Sequence, residues 1–375
     1  MKSVVDWLQR VASIRDELGP SIRYFRIAIP GFDALDVENW LLSIDPQGLL
    51  GNAFGSTCPE SWSIIRLPDV RREGVNLDER HRLGADIACI LSLALERRVI
   101  VPNDFSINLP PLGQVNFISV SQVVDQGLLG PLPTDAKSRL NTYLSAVAGL
   151  STEAQDVIGA AASAYHGALL VFDREPRAAY TLLVAGIEVL SRSYGSPATG
   201  WDNWDESGLW DRVFAEQFLT PEQRFALQDK LIANKEIRLG TTFRNYASSR
   251  IGDDFWDKPL DQWIYGIDAN TGQWLSSERS RSCRISDVLP LDRSALKLAL
   301  RETYALRSSI VHSVDWVELM TLANPPLPDA NSRRPLPFPI LRALLAELIW
   351  LEISSHSTST SLPDFQLLRE PPKAT

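Results

Sequence analysis

Arg307 and His312 are the two residues of this chain whose types and spacing could do chemistry together. They stand in the stretch Tyr304-Ala305-Leu306-Arg307-Ser308-Ser309-Ile310-Val311-His312-Ser313. Arginine supplies a fixed cation with forked donors, and histidine is the side chain whose ordinary pKa lies nearest neutrality. The pair therefore offers an acid/base group beside a phosphate binder. At about 100° per residue, His312 lies roughly 140° around a helix from Arg307, and Tyr304, Ser308 and Val311 fill the sector between them. The two side chains would flank a shared strip of helix surface rather than touch. A groove over that strip, completed by another element or another subunit, would let both reach one ligand. A position near a helix C-terminus also favours the imidazolium. The bland reading is a helix-capping histidine and a structural arginine, because short spacings of this kind also arise by chance.

The elements that must position the pair can be read from periodicity. A helix over 292–313 places Leu296, Ala299, Thr303, Leu306, Ile310 and Val314 on one core-facing stripe. Arg307 falls at the edge of that stripe, where a half-buried guanidinium needs an anionic partner. Further helices are expected over 4–18, 37–44, 77–97, 137–150, 152–172, 176–194, from 221 and over 341–355. Ser151 and Thr220 read as N-caps, the latter followed by Pro221. Strands are expected over 21–29, 63–67 and 99–101, strands and turns over 105–120, and loops over 195–208 and 323–339. The character changes at Gly130-Pro131-Leu132-Pro133. The expected architecture is an α+β N-terminal module over 1–132, a mainly α-helical bundle over 133–357 and a disordered tail over 358–375.

Composition narrows the function classes. The 375 residues carry a net charge of -9, which gives no general attraction to nucleic acid. A local excess does occur over 278–312, where Arg279, Arg281, Arg284, Arg293, Lys297, Arg301 and Arg307 outnumber Glu278, Asp287, Asp292 and Glu302. A solvated helix face is the plain alternative for that patch. Cys58, Cys89 and Cys283 are odd in number and far apart, as expected of a reducing cytoplasm. The start of the chain is not a signal peptide, and the apolar run 338–351 is broken by Arg342 and Glu347, so no membrane span is expected. His81, His166 and His356 have no metal-like spacing, and there is no phosphate-binding glycine loop or serine nucleophile elbow. No metal and no cofactor are expected. Asp253, Asp254 and Asp257 could hold Mg²⁺ but read better as a turn. Trp201, Trp204 and Trp210 could stack on bases or pin a long loop.

The stretch Leu300 to Ser313, L-R-E-T-Y-A-L-R-S-S-I-V-H-S, resembles the signature of HEPN domains, and is most similar to their Apea-like branch. Ala179 to Arg192, A-Y-T-L-L-V-A-G-I-E-V-L-S-R, resembles that branch's earlier helix with its central glutamate. Phe243 to Trp256 adds to the likeness, which covers roughly residues 150–357. The resemblance implies a helical bundle that dimerises and brings two Arg-x4-His motifs into one cleft. It implies a metal-independent endoribonuclease of toxin–antitoxin, stress or antiphage systems, with RNA as substrate and an antitoxin or regulatory partner. By this likeness His312 is the general acid/base and Arg307 holds the scissile phosphate. Glu188, Tyr304 and Ser308 support them, with Glu188 orienting Arg307. Active members often carry Asn, Asp or His where this chain has Ser308. Arg293, Lys297 and Arg301 are the further RNA-binding candidates. The alternative is a non-catalytic RNA-binding or protein-interaction module with a vestigial motif.

Overall fold

The computed structural model describes residues 1–13, 24–30, 43–50, 60–68, 77–96, 98–99, 135–172, 175–196, 200–204, 206–234, 238–261, 266–267, 274–275, 282–312 and 334–358. These residues are mostly helical. In chain order the helices are α1 (Lys2–Ser13), α2 (Leu77–Leu95), α3 (Ala136–Ala148), α4 (Thr152–Val171), α5 (Pro176–Tyr194), α6 (Ser207–Glu216), α7 (Pro221–Ala233), α8 (Leu239–Arg250), α9 (Ile285–Val288), α10 (Arg293–His312) and α11 (Phe338–His356). Strands β1 (Tyr24–Pro30), β2 (Ser43–Leu50) and β3 (Glu60–Pro68) form an antiparallel sheet in the order β1-β3-β2. The remaining strands are two- or three-residue pairs, β4 (Pro259–Asp261) with β7 (Ser282–Arg284) and β5 (Gly266–Ile267) with β6 (Trp274–Leu275).

The centre of the bundle is α5, which packs on α4, α8, α10 and α11. Its Ala179, Tyr180, Leu183, Val184, Ile187 and Leu190 are all buried, as one continuous apolar face requires. Gly186 sits where α11 comes closest. A Cβ built there would lie 2.7 Å from Leu345 Cδ2 and 3.4 Å from the Ala161 carbonyl oxygen. Glycine in a helix interior costs about 1 kcal/mol relative to alanine, so its presence here reflects space rather than propensity. Local signals agree with this packing at the helix starts. Ser151 accepts a hydrogen bond from the Ala154 amide at 3.3 Å, and Thr220 with Gln223 forms a capping box ahead of α7.

The helices of the first hundred residues belong to the same core. α1 and α2 pack on α3 and α4, and Val4, Leu8, Ile87, Leu91 and Val99 join one apolar cluster with the later helices. The described residues thus show a helical bundle and do not show a separate α+β module. The expected boundary at 132, the segment 105–120 and the tail beyond 358 lie outside them. The helix expected over 37–44 is corrected at its end: 43 and 44 open strand β2. The register of β2 shifts between Pro46 and Gly48, and a proline is tolerated there because β2 lies at the edge of its sheet. Val99, expected in a strand, instead lends its carbonyl to His166 Nε2 at 2.7 Å. Helix α11 begins earlier than expected, with Pro339 in its first turn, where the missing N–H has no helical partner to lose.

Two measurements probe this packing. Gly186→Val should lower the stability to urea by about 1–3 kcal/mol, the usual range for overpacking. An unchanged denaturation midpoint would show that α5 and α11 are not in close contact. Burial lowers the His166 pKa, and the bond to the Val99 carbonyl only partly opposes this. Its contribution to stability is therefore present above the ordinary histidine value of about 6.5 and is lost as pH falls below it. His166→Gln should flatten the decline of urea midpoints between roughly pH 7.5 and 5.5.

Candidate functional site

Helix α10 carries the residues singled out in the sequence. Its buried face is Leu296, Ala299, Leu300 and Thr303. The Thr303 hydroxyl donates to the Ala299 carbonyl at 2.8 Å and accepts from the Leu336 amide at 2.8 Å. Tyr180 of α5 donates to the Leu336 carbonyl at 2.8 Å. The segment leading into α11 is thus clamped between α5 and α10, which fixes the rotation of α10 about its axis.

That rotation brings Arg307 against α5. Arg307 Nη2 donates to Glu188 Oε2 at 3.3 Å, with side-chain exposures of 26% and 11%. The Arg307 Nε is buried and has no hydrogen-bond partner among the described residues. Tyr304, one turn earlier, rests on Phe243 of α8 with ring centroids 5.4 Å apart. Burial, followed by the charge of Glu188 and a hydrogen bond to it, pushes the Tyr304 phenol up to about 12, while Arg307 and Arg192 oppose the shift. Glu188, Tyr304 and Arg307 therefore form one polar knot at the α5–α8–α10 junction. The carboxylate that acts on Tyr304 is the one Arg307 pairs with.

Ser308 is half-buried and Val311 is 51% exposed. They extend the strip beside Arg307 towards solvent. His312 is the last residue of α10. Its backbone lies about 7.5 Å further along the axis from Arg307, and its side chain is outside the described residues. Lys297 and Arg301 lie on the exposed side of the helix. Arg301 is engaged by its neighbour Glu302 at 2.9 Å. Arg293, also exposed, reaches the Ile251 carbonyl at 3.4 Å and Asp253 at 4.0 Å. The structure thus joins three of the expected residues and strings the other basic ones along one exposed face.

Sequence reading missed a second cluster. Glu352 of α11 is 2% exposed and accepts from Tyr246 Oη at 2.8 Å and from Arg250 Nε at 2.9 Å. His356, one turn on, lies 3.4 Å from the same carboxylate and stacks on Tyr194. Glu352 and His356 at an i, i+4 spacing were the available signal, but nothing local marks Tyr246 or Arg250 as their partners. The expected turn at Asp253, Asp254 and Asp257 is a 3-10 helix, Asp253–Asp257, with Phe255 and Trp256 buried. Among the described residues no group of three or more His, Cys, Asp or Glu is placed to hold a metal ion. None of the described helices is long and apolar enough to cross a membrane.

No family model matches the chain, and no curated protein or solved structure matches it either. The chemistry of the site rests on the residues described above.

Glu188→Gln should leave the Arg307 cation half-buried without its counter-charge and destabilise the fold by about 1–3 kcal/mol. Arg307→Ala should lose a similar amount, and the double variant less than the sum, as a double-mutant cycle would read. Glu188→Gln should also move the Tyr304 transition in an ultraviolet titration down towards the ordinary tyrosine value. An additive cycle with an unmoved titration would refute the coupling.

Proposed function

We propose that this chain is a metal-independent endoribonuclease of the HEPN type. Its reactive site is composite, with Arg307 and His312 contributed by two copies of the chain. The observation that carries the reading is the Arg307–Glu188 pair. A buried carboxylate on α5, in the helix whose sequence resembles the family's glutamate helix, pairs with Arg307 at the edge of the bundle. Ser308 and Val311 of the same helix leave the adjoining strip open towards His312.

In the proposed reaction a neutral His312 takes the proton of the RNA 2′-hydroxyl. The 2′-oxygen bonds to the adjacent phosphorus as the bond to the 5′-oxygen breaks. A protonated His312 of the second copy returns a proton to that leaving oxygen, which leaves a cyclic phosphate. Arg307 offsets the charge that develops on the phosphoryl oxygens. The internal nucleophile restricts the substrate to RNA. Lys297 and Arg301 would engage flanking phosphates, with Arg293 further along the helix. The part of 1–132 that lies outside the helical core would sense a target or regulate the site. The setting would be cytoplasmic antiphage defence or a toxin–antitoxin or stress system with an antitoxin or regulatory partner. A second reading, a non-catalytic RNA-binding or interaction module, is favoured by the commitment of Arg301 to Glu302.

The two are separated by incubating structured and unstructured RNA with the purified protein in EDTA. The enzyme reading expects cleavage by wild type and a loss of about 10²–10⁴-fold in His312→Ala, the usual contribution of a general acid/base. Absence of cleavage by both proteins, with RNA still retained on a filter, would establish the binding module instead.

A further inference from the structure

The contacts between α5 and α10 run in one order. Tyr180 and Thr303 meet at Leu336, which both of them bond. Further along both helices, Glu188 meets Arg307. The two helices therefore advance in the same direction where they pack. The next α5 position on the Glu188 side is Arg192, one turn later and about 6 Å along the axis. The matching step along α10 is the strip of Ser308 and Val311, which leads to His312. Arg192 stands beside that open strip, and it is exposed. Its charge acts on the Tyr304 phenol in the same direction as that of Arg307.

Helix α8 closes the junction from a third side. Gly240 lies in its first turn, and a Cβ built there would lie 3.6 Å from both Arg244 Nη1 and Tyr304 Cδ1. Arg244 is buried, and its Nη2 donates to Thr241 Oγ1 at 3.2 Å. It adds positive charge to the junction without facing solvent. Among the described residues around Tyr304, three arginines, Arg192, Arg244 and Arg307, meet one acid, Glu188. That local balance is opposite in sign to the chain's net charge of -9, and it favours an anion at the strip.

The plain role for Arg192 is that of a cation in the last turn of α5, where the helix dipole favours one. A dipole role needs a position near the helix end but no particular side of the helix. It does not account for an arginine placed one turn after Glu188, on the side that faces Arg307.

We propose that Arg192 is a phosphate-binding residue that grips one phosphodiester of an RNA strand together with Arg307, a step that rests on the RNA reading of the site. Arg307 turns only part of its guanidinium to the strip, because Nη2 is bonded to Glu188 and Nε is buried. It meets a phosphate from one side. Arg192 approaches from α5 and supplies donors to the second non-bridging oxygen. Two helices then provide the two-point contact that a single arginine fork gives elsewhere. Arg192 moves no proton in the reaction.

The test uses the full chain and a fluorescent single-stranded 2′-O-methyl RNA. This strand lacks the free 2′-hydroxyl that cleavage needs, so binding is read apart from reaction. Anisotropy titrations between about 50 and 200 mM salt give the affinity and its salt slope. Arg192→Ala should weaken binding by about tenfold or more, as loss of a hydrogen bond to a charged group does. It should also reduce the salt slope by about 0.7, the share of one phosphate contact on a single strand. Arg192→Lys keeps the charge and should keep the slope, while recovering only part of the affinity. Arg177→Ala, in the first turn of α5 and about 22 Å away along the axis, should leave the slope unchanged. A dipole or packing role would lower the urea midpoint of Arg192→Ala and leave its slope equal to that of wild type, which would overturn the proposal. So would a wild type that does not bind the strand. The ribonuclease reading stands or falls apart from this. Binding that depends on Arg192, with no cleavage of ordinary RNA by wild type, would keep the phosphate site and remove the enzyme. Cleavage undiminished in Arg192→Ala would keep the enzyme and remove the phosphate site.

Discussion

Glu188 is a carboxylate set into the face of the most crowded helix of the bundle, and the placement of α10 follows from it. A buried charge is tolerated only with a partner at hydrogen-bonding distance. Arg307 is that partner, and it can reach Glu188 only if α10 lies beside α5 in one register and one rotation. Gly186, two residues before Glu188, lets α11 approach the same helix closely. Thr303 and Tyr180 then hold the segment entering α11 between the two helices. The polar knot and the tight apolar contact are consecutive features of one helix, so neither can shift without the other.

The same rule recurs through the bundle. Glu352 is matched by Arg250 and Tyr246, and Glu347 by Lys258, both on α11. Glu96, after α2, is matched by Arg139 of α3. Burial by itself would raise the Glu96 carboxyl, but Arg139 and then Arg342 outweigh it and hold it below the ordinary range. Such pairs add little net stability compared with apolar residues of the same size. They do discriminate between alignments, since a slip of one residue would leave a charge buried alone. In a bundle whose contacts are mostly Leu, Ile, Val and Ala, which interchange readily, these charges distinguish one helix pairing from another.

Helices with a strong local signature were legible in the sequence. The span 176–194 is that of α5, and Ser151 and Thr220 act as caps where their side chains suggested. Helix α8 was not legible. Gly240, Thr241, Thr242, Ser248 and Ser249 are poor helix formers, and the helix exists because Phe243, Tyr246 and Ala247 are drawn into the core. The start of α6 was hidden in a loop-like, tryptophan-rich stretch whose rings only reveal their role once packed. At the site, the edge position of Arg307 could be read from periodicity. The role of Tyr304 between Glu188 and Phe243 depends on three helices meeting, which no local pattern records.

The geometry of Arg307 also constrains the proposed chemistry. One Nη group is bonded to Glu188 and the Nε is buried, so only part of the guanidinium faces the open strip. The forked, two-point grip that arginine usually offers a phosphate is therefore not available from this side chain while the pair holds. A phosphodiester at the strip would meet a charged but single-sided Arg307, and further donors would have to come from elsewhere. Lys297 and Arg301 are too far towards the helix start to serve the same phosphate, about 9–15 Å along the axis at 1.5 Å per residue. Among the described residues Arg192 also lies close enough to Tyr304 to act on its phenol, and the second Arg307 of a composite site would be a further cation of the same kind. The Glu188 pair thus limits what Arg307 can do alone, and on the proposed reading the missing donors come from Arg192 or from the second copy.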